Sequence, residues 1–563
     1  MPRTPRPPAR SGGTSSAIDV LLALGCAALA LWVQRGALGV YFHPDDLISL
    51  ERARGLLPAP DLGPWRLLSG RLYFAAALGV LGTDPRPYHL LNAALHATNV
   101  ALLYALARRW GAPALAATLA AGLFGAAIPV FSVLQQAVGI GELLAFGLTA
   151  SALLLVERRA PATRWLAALL LLAALLSKEG VLLLPLVLLV PRESGAWRRR
   201  LGVAAPLLAT SAAVGLAFAV GHVRERAFGG PAYAMGFGAN LFDNLMTYLA
   251  WAFNTRDPFY DQPGGLSHDA WRVGGPVLVA LAALAWATRR RTRLPAVGLA
   301  WAGLALAPVL PLLHHTYASY LYVPLAGLGL SAGAGLEALV PGRLANGSVR
   351  HGSGPGRAAA AGRRTLATAA IAGVVLAAHA ATSDRLLATR LARRYLSLDL
   401  PFDPQLRKSD MARRAEEGLR RTSPGPPRRI VLCQPSETSR RLDRGSGAMR
   451  SDSTLALEGM LMYRVLDGGL ALRALFPGLD SVAFVNQWTP GYVDFDLCVN
   501  SLEGEIVDLG RGPDAHLRLG RIMLKNGYPA LAVAHLARAC EAYPRDPRLR
   551  QMLSAARAGQ ALR

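Results

Sequence analysis

Cysteine is scarce in this sequence and has no metal-binding arrangement. The four cysteines, Cys26, Cys433, Cys498 and Cys540, match no metal-ligand spacing, and Cys26 lies inside an apolar run. They therefore give no support to a cysteine-based metal centre. A disulfide between Cys433 and Cys498 would require that part of the chain to lie outside the cytoplasm.

The sequence also lacks a continuous basic patch, despite its surplus of positive charge. Its 60 lysines and arginines stand against 36 aspartates and glutamates, which gives a net charge of +24. The arginines occur a few at a time between apolar segments and are not interleaved with aromatic residues. This distribution is typical of membrane topology signals and argues against a nucleic-acid partner.

What the chain has in abundance is apolar length. Of its 563 residues, 52% are hydrophobic, and the mean hydropathy is +0.30. Eleven segments are long enough, or nearly so, to cross a hydrocarbon core of about 30 Å: 17–38, 87–107, 112–134, 137–156, 164–176, 181–191, 201–221, 274–288, 294–312, 320–340 and 365–382. We therefore predict a polytopic α-helical membrane protein with about eleven transmembrane helices. The first segment, LGCAALALWVQRG, has no small-residue cleavage site and is predicted to be a retained span.

The arginines determine the predicted orientation. With the N-terminus in the cytoplasm, the loops on that side receive most inter-span arginines and only two acids, Glu157 and Glu193. This is the positive-inside pattern. An odd number of spans places the chain from about residue 384 onward outside the cytoplasm. We expect a multi-pass protein of a bacterial-type inner (plasma) membrane, in contact with the lipid bilayer.

The sequence divides into four predicted parts. They are a cytoplasmic basic tail (1–16), a transmembrane domain (17–383) with outer loops 41–86 and 222–273, an extracytoplasmic soluble α/β domain (384–512) and tetratricopeptide-like helices (513–563). Within the second part, residues 163–190 are predicted to form a short hairpin turning at Ser177–Gly180, because both flanks are basic. Residues 64–82, PWRLLSGRLYFAAALGVLG, and the amphipathic stretch NLFDNLMTYLAWAF are predicted to lie flat on the membrane.

The C-terminal segment has the residue pattern of a tetratricopeptide helix pair. Small and large residues fall at the expected positions, which are Leu519, Gly520, Ala532, Leu536, Ala539 and Pro544. One repeat is visible, and a lone repeat cannot bury both of its faces. We therefore expect it to cap the neighbouring domain or to dock on a protein partner.

The polar residues that are costly in a membrane are predicted to face the outer leaflet together. They are Asp45, Asp46, His89, Asn92, His96, Asn99, Glu142, Lys178, Glu179, Arg224, Arg226, His314, His315 and Tyr320. Ionisable groups at membrane depth usually mark a functional cavity. This set therefore supplies the candidate site residues, with the two aspartates as its candidate catalytic groups.

Each group also has a structural interpretation. Asp45 and Asp46 could cap the helix that follows Pro44, where acids favour the positive helix end. As repelling neighbours they could instead provide a base of raised pKa or hold a cation. The stripe from His89 to Asn99, at helical spacing on one face, fits interhelical hydrogen bonding as well as a cavity wall.

The remaining groups leave similar alternatives open. Lys178 and Glu179 could neutralise each other, and Arg224 and Arg226 could be interfacial anchors. The tyrosines of YASYLYVP, which include Tyr320, could belong to an aromatic belt at the membrane surface.

These motifs together resemble a known family. HPDD in the first outer loop, RPYHLLNAALHATNVALLYAL, LSKEGVLLLP, YLYVPLAGLGL and the C-terminal repeat are similar in order and sidedness to the GT-C superfamily of glycosyltransferases that use polyprenyl-phosphate sugars. The chain is most similar to the tetratricopeptide-bearing O-mannosyltransferase-like branch. The resemblance covers about residues 17–340, with an independent match at 513–546.

The resemblance implies an enzyme that transfers a sugar from a lipid monophosphate carrier to a protein or glycan acceptor on the outer side. An aspartate of the first outer loop serves the family as base or metal ligand, which corresponds to Asp45, with Asp46 as its neighbour. The residues are compatible with that chemistry, since Asp45 could deprotonate an acceptor hydroxyl while Lys178, Arg224 or Arg226 neutralise the donor phosphate. A divalent cation held by the two aspartates is the alternative.

Two other functions compete with this interpretation. A lipid or saccharide transporter or flippase would also need many spans, but it predicts internal repeats, and the sequence shows no convincing duplication. A non-catalytic membrane scaffold with a tetratricopeptide tail would give the aspartates no task beyond capping. Substitution of Asp45 separates the transferase from the scaffold.

Overall fold

The computed structural model describes thirteen stretches of the chain. They are residues 14–58, 66–157, 160–191, 197–225, 234–260, 269–339, 355–394, 400–422, 428–433, 458–485, 497–502, 505–525 and 527–560. Helices predominate in all but the short stretches that form a sheet near the C-terminus.

The chain begins with a run of helices, most of them apolar. They are α1 (Thr14–Gln34), α2 (Pro44–Ala53), α3 (Tyr73–Leu81), α4 (Pro85–Arg109), α5 (Ala114–Gly125), α6 (Ile128–Leu134), α7 (Ile140–Val156) and α8 (Pro161–Ser177). Proline occupies the first turn of α2, α4, α6 and α8, where its missing N–H costs nothing and its fixed φ favours helix initiation. The helix starts are thus encoded locally.

The run of helices continues as far as Thr422. They are α9 (Trp197–Glu225), α10 (Asn240–Ala252), α11 (Ala270–Thr288), α12 (Leu294–Leu306), α13 (Tyr322–Leu339), α14 (Pro355–Ala392) and α15 (Pro404–Thr422). Small residues allow close approach in the middle of the bundle, where Gly298 faces Gly327 so closely that a Cβ on either would lie about 2.5 Å or less from the other's carbonyl oxygen. Such contacts hold α12 against α13.

Seven helices of the described residues are long and apolar enough to cross a membrane, or up to eight if the pair α5–α6, bent by 55°, counts as one span. Four shorter apolar helices accompany them: Leu67–Leu81, Pro161–Ser177, Glu179–Leu189 and Leu294–Leu306. Each of the eleven predicted segments overlaps one of these helices. The chain is a multi-pass membrane protein, whereas the number of eleven crossings and the direction of the termini stay predictions.

The helical run across residues 163–190 breaks where the sequence predicts a turn. Helix α8 ends at Ser177, Lys178 adopts an extended conformation with φ −158° and ψ 137°, and short 3₁₀ turns follow at Glu179–Val181 and Leu184–Leu189. A single continuous helix is therefore wrong for this stretch. The break leaves Lys178 and Glu179 at the end of α8.

The segment after α14, predicted to be a soluble domain, contains a four-stranded mixed sheet. Its strands are β1 (Arg429–Cys433), β2 (Ser481–Val485), β3 (Leu497–Leu502) and β4 (Glu505–Gly510), in the order β2-β1-β3-β4. Strand β1 runs parallel to β2 and β3, and β4 is antiparallel to β3. Two short helices, α16 (Glu458–Val465) and α17 (Leu470–Leu475), join β1 to β2. Cys433 and Cys498 lie in paired strands opposite Asn500 and Val431, but their side chains fall outside the described residues.

The core of this domain extends into the first outer loop. One cluster of buried residues combines Phe42, Leu47 and Leu50 of the loop with Met411 of α15 and Leu472 of α17. The predicted division at residue 384 does not anticipate this shared core, and it also falls inside α14, which continues to Ala392. Helix α2 and the segment after α14 therefore position each other.

Three helices end the described chain: α18 (Gly512–Lys525), α19 (Pro529–Ala542) and α20 (Pro547–Arg557). Gly520 of α18 lies so close to Leu536 of α19 that a Cβ would meet its side chain at 2.7 Å, which explains the small residue at that position. Val431 and Ala483 of the sheet join the same core. The helix pair thus covers the neighbouring sheet, one of its two expected roles.

Candidate active site

The site begins at the N-terminus of α2. His43 is the N-cap residue, Pro44 is the first helical residue, and a capping box joins His43 to Asp46. The His43 N–H donates to Asp46 Oδ2 at 2.8 Å, and the Val138 N–H donates to Asp46 Oδ1 at 2.8 Å. Asp46 is fully buried, and burial raises its pKa to about 6 although these bonds oppose the shift. Asp46 therefore caps α2 and ties it to the segment before α7.

Asp45 has the opposite environment. Its side chain is 64% exposed, and its Oδ2 lies 3.6 Å from His43 Nδ1. The surrounding protein atoms partly desolvate the Asp45 carboxyl, which by itself would raise its pKa. The hydrogen bond and charge of His43 and the charges of Lys408 and Lys178 outweigh this effect, so that the pKa of Asp45 is lowered. Of the two adjacent aspartates, Asp45 is the accessible, ionised carboxylate.

Two cations lie at this end of the bundle, each in an ion pair. Lys178 Nζ is 2.8 Å from Glu142 Oε1, and Arg66 Nη2 is 2.7 Å from Glu179 Oε1. Lys178 and Glu179 thus pair with partners remote in sequence. Both cations act electrostatically on His315, and Lys178 also acts on Asp45. These groups therefore lie near one another at one end of the bundle.

His315 contributes from the loop that precedes α13. Its ring meets the Tyr317 ring edge-on at a centroid distance of 4.5 Å and the Tyr320 ring at 6.0 Å. Burial lowers the pKa of His315, against the negative charge of Asp45. The neighbouring His314 is exposed. His315 and Tyr320 thus join the aspartate, whereas His314 faces outward.

The polar stripe of α4 is used differently. Its members hydrogen-bond backbone carbonyls of neighbouring elements: His89 to Leu134 at 3.0 Å, Asn92 to Gln136 at 2.8 Å, His96 to Gly125 at 3.2 Å and Asn99 to Leu143 at 2.9 Å. His96 and Asn99 also bond the Tyr322 hydroxyl. All four are buried. His89, Asn92 and His96 thus hold helices together, the alternative that the sequence left open beside cavity lining.

Two predicted phosphate-binding residues receive no structural test. Arg224 lies in the last turn of α9 with its side chain outside the described residues, and Arg226 lies beyond the described part altogether. Their proposed role stays a prediction.

The predicted divalent cation does not fit the aspartates. Asp46 already accepts two backbone N–H bonds, and Asp45 faces the cationic side chains Lys178 and Lys408. Within the described ranges, no three His, Cys, Asp or Glu residues form a group that could hold a metal ion. We derive no step of the chemistry through a metal.

Sequence reasoning missed three residues of the site. His43 was part of the HPDD motif without a role, Arg66 lies in a segment expected to lie flat, and Lys408 belongs to the soluble domain. Arg66 has a left-handed conformation, with φ 47° and ψ 33°, at the start of the helical stretch that leads into α3. No local pattern signals that Arg66 pairs with Glu179 or that Lys408 acts on Asp45, because both depend on contacts between distant segments.

Comparisons with known proteins complete this description. The family model of the tetratricopeptide repeat matches residues 513–556, which confirms the predicted repeat. The structure is similar to the crystal structure of ArnT from Cupriavidus metallidurans bound to undecaprenyl phosphate, with a TM-score of 0.44 and 16% identity over 87% of this chain and 94% of that chain. The match to the repeat is as expected from the residue pattern of the C-terminal segment. At this identity the likeness assigns no residue role. No curated protein sequence matches the chain.

Proposed function

We propose that the protein is a membrane glycosyltransferase that passes a sugar from a polyprenyl-phosphate donor to a hydroxyl acceptor on the extracytoplasmic side. The observation that carries the proposal is the accessible Asp45 carboxylate, placed with Lys178, Arg66 and His315 where the apolar helices meet the soluble domain. A base beside fixed cations is what attack on a glycosyl phosphate requires.

Asp45 acts as the general base. As the acceptor oxygen forms its bond to the anomeric carbon, its proton passes to the Asp45 carboxylate. The bond between that carbon and the phosphate oxygen breaks, and its electron pair stays on the phosphate. The products are the glycosylated acceptor, polyprenyl phosphate and a protonated Asp45, which then returns its proton to water.

Lys178 and Arg66 stabilise the leaving phosphate. Their partners Glu142 and Glu179 hold them in place before substrate arrives, so little reorganisation is needed during the reaction. Arg66 is proposed as a phosphate ligand in addition to Arg224 and Arg226, whose predicted role is untested. The phosphate gains charge as the bond breaks, and the two cations therefore favour the transition state over the ground state.

The position of the site suits a lipid-linked donor. Leu72, at the end of the Arg66 segment, and Leu313, next to His314, are large apolar side chains that remain exposed. Exposed apolar side chains beside a charged site match a substrate with a hydrocarbon tail and a phosphate head. The polyprenyl chain would stay in the bilayer while the sugar reaches Asp45.

The test is sugar transfer by the purified protein. The native chain, Asp45→Asn and the control Asp269→Asn, which alters another exposed outer carboxylate, are incubated with radiolabelled polyprenyl-phosphate sugars and candidate acceptors. We expect transfer by the native chain and the control, and a loss of at least about 100-fold in Asp45→Asn. A folded Asp45→Asn variant with the native rate would contradict the proposal and favour the scaffold.

A further inference from the structure

Helix α15 of the soluble domain is fastened to the end of α2 that carries Asp45. His43 Nε2 lies 2.5 Å from Gln405 Oε1, so the ring donates this hydrogen bond to the amide oxygen. Two residues before His43, the Tyr41 hydroxyl donates to Glu416 Oε2 at 2.5 Å. Two hydrogen bonds near opposite ends of α15 thus fix this helix against the entry to α2.

The start of α15 is itself rigidly held. Asp403 accepts hydrogen bonds from the Gln405 N–H at 2.7 Å and the Leu406 N–H at 3.3 Å, so it caps the helix. The same carboxylate forms a buried ion pair with Arg390 of α14. Since α14 carries the last candidate span, the cap connects the soluble helix directly to the membrane helices.

The face of α15 that reaches His43 also carries a cation. Lys408 follows Gln405 by three positions, which places both on one side of the helix. Lys408 is half-buried, and it and Asp45 act electrostatically on each other. The charged and titratable groups around Asp45 are therefore His43 and Asp46 on its own segment, Lys178 and His315 on the bundle side, and Lys408 on the soluble side.

We propose that Lys408 is a positioning residue of the transfer site, supplied by the soluble domain, which holds the Asp45 carboxylate in its working charge and orientation. This inference rests on the proposed transferase function. Lys178 and Arg66 are each ion-paired to a glutamate of the membrane part. Lys408 belongs instead to α15, and the site is complete only when α15 is docked against the start of α2.

The first arm of the test is the pH profile of sugar transfer. Lys408→Met is compared with Lys408→Arg, which keeps the charge, and with Arg421→Met, which removes an exposed cation at the far end of the same helix. We expect Lys408→Met to move the acidic limb of kcat upward by about one pH unit, with little change in KM for the donor. The other two variants should keep the native profile.

The second arm does not depend on transfer. Reaction of carboxyl groups with a water-soluble carbodiimide and a glycine ester depends on protonation, and mass spectrometry resolves the Asp45 peptide. Labelling of Asp45 is normalised at each pH to labelling of exposed Asp269. We expect its midpoint to rise by about one pH unit in Lys408→Met and to stay constant in Lys408→Arg and Arg421→Met.

The outcomes separate the two proposals. An unchanged Asp45 midpoint in a folded Lys408→Met variant overturns the role of Lys408, as does a rise in donor KM without a shift in pH profile, which would make Lys408 a donor-binding residue. A shifted midpoint in a protein that transfers no sugar upholds the coupling and removes the transferase function. If Lys408→Met does not purify in folded form, Lys408→Gln takes its place under the same criteria.

Discussion

The polar stripe of α4 and the charged cluster around Asp45 look alike in the sequence but differ in the structure. In the stripe, His96 and Asn99 are buried and hydrogen-bonded to carbonyls and to Tyr322. In the cluster, ion pairs hold Lys178 and Arg66 in place around an exposed carboxylate. Polar groups that satisfy one another stabilise a fold, whereas groups that keep reactive atoms accessible are available to a substrate. Substitutions in the two regions should therefore change different quantities.

After substitution of Asp45, the largest loss of sugar transfer is expected when both Lys178 and Arg66 are substituted. Lys178→Met with Arg66→Met should raise the KM for a polyprenyl-phosphate sugar and lower kcat, so that kcat/KM falls at least about 100-fold, because each charge-assisted bond to the phosphate contributes about 1.5–3 kcal/mol. Initial transfer rates over a range of donor concentrations measure this effect.

The control for this pair concerns stability. Each substitution also leaves a carboxylate without its ion-pair partner, Glu142 or Glu179. The quadruple variant with Glu142→Gln and Glu179→Gln should recover thermal stability but not donor affinity. If transfer returned with stability, the cations would be structural like the stripe, and the contrast between the regions would disappear.

Particular residues show how far sequence reasoning reaches. Apolar segments, helix starts at proline and the repeat around Gly520 are local patterns, and the structure contains helices at each of these places. The break at Lys178 was also predictable, because basic flanks on both sides argue against one continuous span. What these features share is that one continuous stretch of sequence contains the whole signal.

The ion-pair partners of charged residues could not be predicted from such local patterns. Lys178 is next to Glu179 in the chain, yet it pairs with Glu142, while Glu179 pairs with Arg66. The extended conformation of Lys178 separates the two neighbours. Similarly, Asp45 and Asp46 appear equivalent in sequence, but Asp46 is buried where it accepts the Val138 N–H of a distant segment, whereas Asp45 is exposed. These outcomes depend on contacts between distant segments, which one sequence does not encode locally.

A third kind of polar group, a buried carboxyl, lies at the C-terminal end of α2. Glu51 is fully buried, and burial together with the charge of Asp467 raises its pKa to about 8. The folded protein therefore keeps this proton up to about pH 8, whereas the unfolded chain releases it near the ordinary pKa of 4.5. The contribution of Glu51 to the free energy of unfolding is therefore greatest below about pH 4.5 and decreases as the pH rises to about 8.

Glu51→Gln should remove this pH dependence. Between pH 5 and pH 8.5, the Tm of the native protein is expected to fall by at least about 2 °C more than that of the variant. Glu417→Gln, which alters an exposed carboxylate of α15, should behave like the native chain. Thermal unfolding of the detergent-purified proteins measures the difference, and equal slopes for all three would show that Glu51 is ionised in the fold.

The smallest effect is expected in the stripe. His96→Leu removes hydrogen bonds to the Tyr322 hydroxyl and the Gly125 carbonyl inside the bundle. The groups left without His96 have few other hydrogen-bond partners inside a membrane, yet each such bond contributes only modestly to stability. The free energy of unfolding should therefore fall by about 1–2 kcal/mol. Thermal unfolding should detect it, while kcat and KM per folded molecule stay within about twofold of the native values. A variant that keeps its Tm but loses transfer would place His96 in the site, and the division between a stabilising stripe and a reactive cluster would then fail at a fully buried residue of the stripe.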